Sequence, residues 1–306
     1  MKRLLKISNY LIVLLVLFTF LTASCRSGGK KAEKEADTTN VSQANPVAYE
    51  NLKQAEKIFY TLPSPLESAM LIKSADALFD SKLLNPVDNA KNYSTNRSMA
   101  LNLGIYTCDL SFASLYDQTQ LIIDYMNAAK KMADGLGILE AIQKEDLDKL
   151  EENIHNIDAI MDIVSQTYLN SNSYLEDNGQ QAVASIVLAG GWIEGLYLST
   201  QLVDMKKFSG NKLVGRIIDQ KLSIDILLNL LEVNKGNPAI DDLITQIRKI
   251  RVVFDKIPLT TSPVRPEYDK ENDVTILKSE VHADLKPEVF NELSSVVGEI
   301  RSSFIK

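Results

Sequence analysis

Apolar residues in the second part of the chain recur every three or four positions, as on one face of an α-helix. The set Ile240, Leu243, Ile247 and Ile250 is an example. Helix starts are marked by capping boxes and by Asn-Pro pairs such as Asn237-Pro238. The pattern therefore predicts an all-α bundle of about seven or eight antiparallel helices, over residues 48–61, 65–80, 96–134, 145–176, 180–205, 211–234, 238–256 and 287–304.

The last helix follows a segment of different character. Residues 257–272 contain Pro258, Pro263 and Pro266, which predicts a loop. Residues 274–277 alternate in a way that suits one short strand. We therefore expect a helical domain over residues 48–256, with residues 257–306 forming a proline-rich loop and a C-terminal helix packed on it.

The N-terminus has the three parts of a secretory signal. Lys2, Arg3 and Lys6 precede an apolar run over residues 11–21, which is too short for a permanent span of roughly 20 residues. Small residues then lead into Cys25, as in a lipobox. This predicts a lipoprotein signal peptide over residues 1–24 and an acyl anchor on Cys25; an ordinary cleaved signal with an incidental cysteine is the alternative.

Residues 25–47 are polar and lack aromatic side chains, which predicts a flexible tether between the lipid and the folded domain. No acidic cluster follows Cys25. That favours an anchor in the outer membrane with the domain facing the periplasm rather than the cell exterior.

Charge and residue usage exclude some functions. Removing the signal with its three cations takes the formal charge from −7 to about −10, which disfavours nucleic acid as a partner. Cys108 is then the remaining cysteine, and the two histidines, His155 and His282, lie far apart in sequence. We therefore expect neither a disulfide nor a zinc site, and no cofactor is predicted.

The segment 182–203 has an unusual polar residue within an apolar helix. Glu194 is its only charge, flanked by Trp192 and Tyr197. Gly191, Gly195 and Ser199 lie four apart and form a strip that a neighbouring helix backbone can approach. The helix should be central and Glu194 partly buried, where a carboxylate must be paired or protonated. Either it ties two helices together, or it binds a ligand or partner.

The segment 98–129 carries three aspartates and neither lysine nor arginine. At helical spacing, polar side chains fall along one side, including Asn102, Tyr106, Asp109, Tyr116 and Asp117. One interpretation is the solvent face of an amphipathic helix. The other is a polar groove, facing Glu194, that holds a cation, a sugar or a partner loop.

Two stretches carry a resemblance to known proteins: NPVDNAKNYSTNRSMALNLGIYTCDLSF at 85–112 and AGGWIEGLYLSTQ at 189–201. Behind this signal, they resemble uncharacterised helical lipoproteins of the Bacteroidota. The resemblance implies a Gram-negative envelope and an all-helical fold, and it carries no activity.

Three functional hypotheses follow from the sequence. No nucleophile elbow, phosphate-binding glycine loop or HExxH motif is present. The leading hypothesis is therefore a non-enzymatic, lipid-anchored periplasmic protein that binds an envelope protein partner or serves as an assembly subunit. The first alternative is a small-ligand-binding lipoprotein with an inter-helical polar groove. The second is a hydrolase that uses two carboxylates in a cleft.

Overall fold

The computed structural model of the chain describes residues 62–139, 148–150, 152–269, 274–278 and 281–306. The predicted signal peptide, the Cys25 anchor, the tether and the helix at 48–61 lie outside the described residues and stay predictions.

Helices dominate the described residues, which confirms the all-α bundle. They form eight α-helices: α1 (Pro65–Ser74), α2 (Asn96–Leu115), α3 (Thr119–Gly135), α4 (Ile157–Asp177), α5 (Gln181–Gln201), α6 (Lys212–Val233), α7 (Pro238–Phe254) and α8 (Pro287–Phe304). Short 3₁₀ turns occur at Ser81–Leu83, Val87–Lys91 and Met205–Lys207. Two of the predicted caps form: Ser64 and Glu67 make a capping box, and Asn237 caps α7. The Asn85-Pro86 pair, another such signal, caps no helix, because the Asn85 amide donates to Tyr93 and Asn102 instead.

Helix α5 is the centre of the bundle, as its apolar sequence predicts. It packs against α1, α2, α4, α6 and α8, and its interface with α2 is the largest in the fold. Among the described residues, α5 is the one helix that is long and apolar enough to cross a membrane, yet 78% of its most apolar window is buried within the fold. This helix is accordingly the core of the bundle in the structure.

Glycines allow the close approach of α5 to its neighbours. A methyl group on Gly104 would overlap the carbonyl oxygen of Val187, and one on Gly190 would overlap that of Leu101. Gly191 lies against the Pro65 ring, and Gly195 lies against Ser68. A methyl group on Gly195 would come within 2.6 Å of the Ser68 Cβ. The predicted small-residue strip therefore receives α1, while Gly104 and Gly190 bring the α2 and α5 backbones together.

The single helix predicted at 96–134 is wrong, because the helix is interrupted between Leu115 and Thr119. Asp117 takes a left-handed conformation, with φ of 56°. The Gln118 N–H donates to the Ala113 carbonyl, and the Asp117 N–H donates to that of Ser114, at 3.1 and 3.2 Å. This is a Schellman end with aspartate where glycine is usual, so no glycine marked it in the sequence.

Two other helix boundaries differ from the prediction. The helix expected at 65–80 ends at Ser74, followed by Asp76 with φ of 59°. The helix expected at 145–176 is interrupted at residues 153–156: residues 148–150 and 152 are helical, and α4 begins at Ile157, where the Asn156 side chain accepts from the Ala159 N–H. In both cases a short polar residue provides the local turn or cap.

Four short strands lie between α7 and α8 and form two antiparallel pairs, which together make a β-arm. They are β1 (Leu259–Thr261), β2 (Arg265–Asp269), β3 (Val274–Lys278) and β4 (Val281–Ala283). The strand predicted at 274–277 is β3, while β1 and β2 lie in the segment predicted as loop. Strand β1 pairs with β4, and β2 with β3, both antiparallel. Three residues separate β1 from β2 along the chain, and two separate β3 from β4.

Substitution Gly104→Ala tests the close crossing of α2 and α5. The added methyl has to displace backbone, so we expect a loss of about 1–3 kcal/mol or more in the free energy of unfolding. Gly298→Ala in α8 is the matched control, since nothing lies within 4 Å of a Cβ there. That change should stabilise by about 0.5–1 kcal/mol through helix propensity. Urea unfolding of both variants decides; equal effects would contradict the crossing.

Candidate functional site

The buried glutamate predicted in α5 forms an ion pair with α8. Glu194 is fully buried and Arg301 is 5% exposed. Arg301 Nε donates to Glu194 Oε2 and Nη2 donates to Oε1, each at 2.8 Å, in bidentate geometry. Nη2 also donates to the Leu83 carbonyl at 3.1 Å, and the guanidinium lies 4.5 Å from the Tyr197 ring centroid. Glu194 therefore links α5 to α8. Of the two roles expected for it, tying helices together or binding a ligand, the contacts fit the first.

Asp109 of α2 adds a second carboxyl beside this ion pair. It is fully buried, and its Oδ2 accepts from the Asn85 N–H at 3.0 Å. Burial raises the pKa of Asp109 well above its usual value, the nearby Glu194 charge raises it further, and Arg301 opposes both. Its other oxygen, Oδ1, is buried and has no hydrogen-bond partner among the described residues. When Asp109 is protonated, the Arg301 guanidinium has one carboxylate to balance, that of Glu194.

Amide and hydroxyl groups beside Asp109 bind the last turn of α8. Asn102 Nδ2 donates to the Phe304 carbonyl at 2.9 Å. Asn89 Nδ2 and the Tyr93 hydroxyl donate to the Ile305 carbonyl at 3.3 and 3.2 Å. Since the last carbonyls of a helix lack partners within the helix, these side chains act as its C-terminal cap.

Tyr106 is also part of this interior. Its side chain is fully buried, and its hydroxyl donates to the Pro86 carbonyl at 3.1 Å. Burial raises the pKa of Tyr106 well above its usual value. Of the predicted polar stripe, Asp109 lies near Glu194, and Asn102, Tyr106 and Asp109 are all buried, so this part forms neither a solvent face nor an open groove.

The other predicted site residues lie elsewhere. The Tyr116 hydroxyl donates to the Ala77 carbonyl, and Lys73 Nζ lies 4.2 Å from its ring centroid. Asp117 is exposed at the break between α2 and α3. Trp192 Nε1 donates to Gln220 Oε1 on α6 at 3.0 Å. A single groove lined by all the predicted residues is therefore wrong, because the helix break and the direction of Trp192 separate them.

The sequence analysis did not identify Arg301, the cation that pairs with Glu194. Arg301 sits four residues after Val297 and eight after Leu293, both fully buried, so it occupies the apolar face of α8. A lone arginine at such a position predicts a buried partner, and Glu194 is the one charged residue of the central helix. The spacing could have identified the pair.

The geometry of the carboxyls limits what they can do chemically. Asp109 and Glu194 are fully buried, and Glu194 is held by Arg301 through two hydrogen bonds. A paired-carboxylate hydrolase needs both groups in a cleft open to substrate, so this pair gives that hypothesis no support. Within the described part of the chain, no group of three or more His, Cys, Asp or Glu residues is placed to hold a metal ion.

Asp109→Asn tests the protonation of the buried carboxyl. Because the pKa of Asp109 is raised in the folded state, that state binds more protons than the unfolded chain above about pH 4. Its stabilising contribution is complete below the unfolded pKa and is lost as pH rises. The variant should therefore gain on wild type by up to about 1.4 kcal/mol per pH unit from pH 4 upward.

Urea unfolding at several pH values between 4 and 7 measures this gain. Asp162→Asn, at an exposed aspartate of α4, controls for the loss of one carboxylate. A stability difference between Asp109→Asn and wild type that stays constant with pH would show that Asp109 is ionised in the fold.

No protein-family model, no curated protein and no solved structure matches the chain. The resemblance to lipoproteins of the Bacteroidota therefore stays a prediction.

Proposed function

We propose that this protein is a non-enzymatic, lipid-anchored protein of the cell envelope that binds a protein partner through its β-arm. The anchor is Cys25, and the outer membrane facing the periplasm is the proposed location. The observation that carries the proposal is the arm itself, a ribbon with exposed apolar side chains and a β3 edge that pairs with no further strand among the described residues. The buried polar cluster supports it indirectly, since its groups are used to hold the fold together.

The β-arm has features of a binding element rather than of a packed one. Leu259, Val264, Tyr268 and Val274 are 40%, 60%, 56% and 47% exposed. Among the described residues, β2 and β3 make their main contacts with each other, as do β1 and β4. A two-stranded ribbon alone is marginally stable in water, and its open edges can pair with another chain.

Pro266 indicates which edge is available. Proline has no N–H, so within a strand it is tolerated where that group would point away from the ladder. Pro266 pairs with Leu277, and the outward positions of β3 are therefore Leu277 and Thr275. The outer edge of β2 lacks a donor at Pro266, whereas that of β3 keeps its donors. We propose that a partner strand adds to β3, as in β-augmentation.

Thr275→Pro tests the β3 edge. It removes an outward N–H without removing a hydrogen bond to β2, so the fold should be kept while partner binding falls at least severalfold. Thr275→Val is the matched control, because it keeps the backbone donor. The measurement is recovery of partners with tagged full-length protein from mild-detergent envelopes, by quantitative mass spectrometry at equal protein level.

A partner that is recovered equally by Thr275→Pro and Thr275→Val would rule out pairing at this edge. Recovery of no stoichiometric partner by the wild type would rule out the partner-binding proposal as a whole. Thermal unfolding of both variants confirms that the comparison is between folded proteins.

The anchor is tested separately through Cys25→Ser. A serine cannot form the thioether to lipid, so the variant should lose lipid labelling and should be either uncleaved or released from the membrane. Palmitate labelling and membrane fractionation measure the two effects. Membrane retention and labelling equal to those of the wild type would contradict the lipid anchor.

A further inference from the structure

A cavity lies among α2, α3, α4 and α5. Its volume is about 70 Å³. Its wall is mainly apolar, with side chains that include Leu103, Leu110, Met126, Val164, Leu175 and Val187. A cavity of roughly 10–15 Å³ holds one water molecule, and an engineered apolar cavity of roughly 150 Å³ in another protein binds benzene. The space is therefore large enough for several carbon atoms.

Asn172 of α4 brings an unpaired donor to this apolar wall. It lines the cavity and is 5% exposed; its Nδ2 makes no hydrogen bond of normal geometry among the described residues, although the Tyr168 hydroxyl in the same wall is near enough to interact with it. A buried donor without a partner costs about 1–3 kcal/mol. A well-packed fold does not gain from such a group, so a molecule with an acceptor oxygen is the natural partner for it.

The other polar groups of the wall narrow the chemistry. The hydroxyls of Thr107 and Ser171 donate to the carbonyls one turn back, Leu103 and Thr167, each at 2.8 Å. Their protons are therefore committed within the helices. Lys130 is the one charged side chain among the described lining residues, and it is exposed, so the cavity reaches the surface beside a cation. An apolar space with an amide donor and a cation suits an anionic amphiphile.

We propose that this cavity binds the alkyl chain of a short carboxylic acid, with a carboxylate oxygen accepting from Asn172 Nδ2 and the charge balanced by Lys130. The carboxylate then lies on the Lys130 side of the cavity, and the enclosed volume accommodates the carbon atoms next to it. This site involves none of the predicted site residues. It does not depend on the β-arm.

Octanoate is the probe, and Met126 is the reporter. The full-length protein, labelled with [¹³C]methyl-methionine, is titrated with octanoate and followed by NMR. Met126 lines the cavity, so its methyl signal should shift and saturate, while Met132, also buried in α3 but not in the wall, should not move. Met126→Leu assigns the signal. Absence of a saturable shift at millimolar octanoate would overturn the proposal.

Three variants separate the parts of the site. Ala129→Phe fills the cavity from α3 and should abolish binding of both octanoate and octanol. Lys130→Gln should weaken octanoate about threefold to tenfold and leave octanol unchanged. Octanoate binding that survives Ala129→Phe, or that is insensitive to Lys130→Gln, would place the acid elsewhere on the protein.

Asn172→Leu tests the unpaired donor with two readouts. It keeps the side-chain size and removes the amide, so octanoate affinity should fall about tenfold, as for a hydrogen bond to a charged group. The ligand-free variant should at the same time unfold at a higher temperature than the wild type, because a buried unpaired donor has been removed. A lower unfolding temperature would show that the amide has a partner in the fold, and unchanged affinity would show that it does not contact the ligand.

Discussion

The ion pair between Glu194 and Arg301 is the constraint on which the rest of the fold depends. It joins the central helix to the last one, over a separation of 107 residues, with both charges removed from solvent. Removing one partner of such a pair leaves an uncompensated buried charge, at a cost of about 3–5 kcal/mol. The two groups thus require each other, and α8 is held in one position on α5. A hydrophobic contact alone would allow α8 to slide along or rotate about α5.

The protonation of Asp109 follows from the same pair. One guanidinium can balance one carboxylate, and a second buried negative charge would have no compensation. Burial and the Glu194 charge accordingly raise the pKa of Asp109, against the attraction of Arg301. A neutral carboxyl then becomes a hydrogen-bond donor as well as an acceptor. The same interior continues through Asn102, Asn89 and Tyr93 to the end of α8, so the polar residues of α2 serve the docking of the C-terminal helix.

Much of the helical arrangement could be predicted from apolar spacing and capping residues, and the central position of α5 from its composition. The break after Leu115 could not, because aspartate at Asp117 takes the conformation that usually reveals itself through glycine. The interpretation of Asn102, Tyr106 and Asp109 as surface or groove residues failed for another reason. Polar residue types predict exposure to solvent. In this fold, however, these side chains form hydrogen bonds with backbone groups of segments that are distant in sequence. Arg301, at an apolar position of α8, was the available signal for such an interior.

The molecule therefore separates two uses of polarity. In the cluster around Glu194 nearly every donor meets an acceptor, and such groups are committed to stability. The β3 edge and the Asn172 amide differ, because each offers backbone or side-chain donors that the described fold does not use. Unsatisfied groups weaken a fold, and in natural proteins they concentrate where a ligand or partner completes them. The β3 edge and the Asn172 amide require different kinds of binding partner. A strand edge selects another backbone, whereas a single amide in an apolar cavity beside a lysine selects a small anionic amphiphile, so the two sites can be occupied at the same time and tested apart.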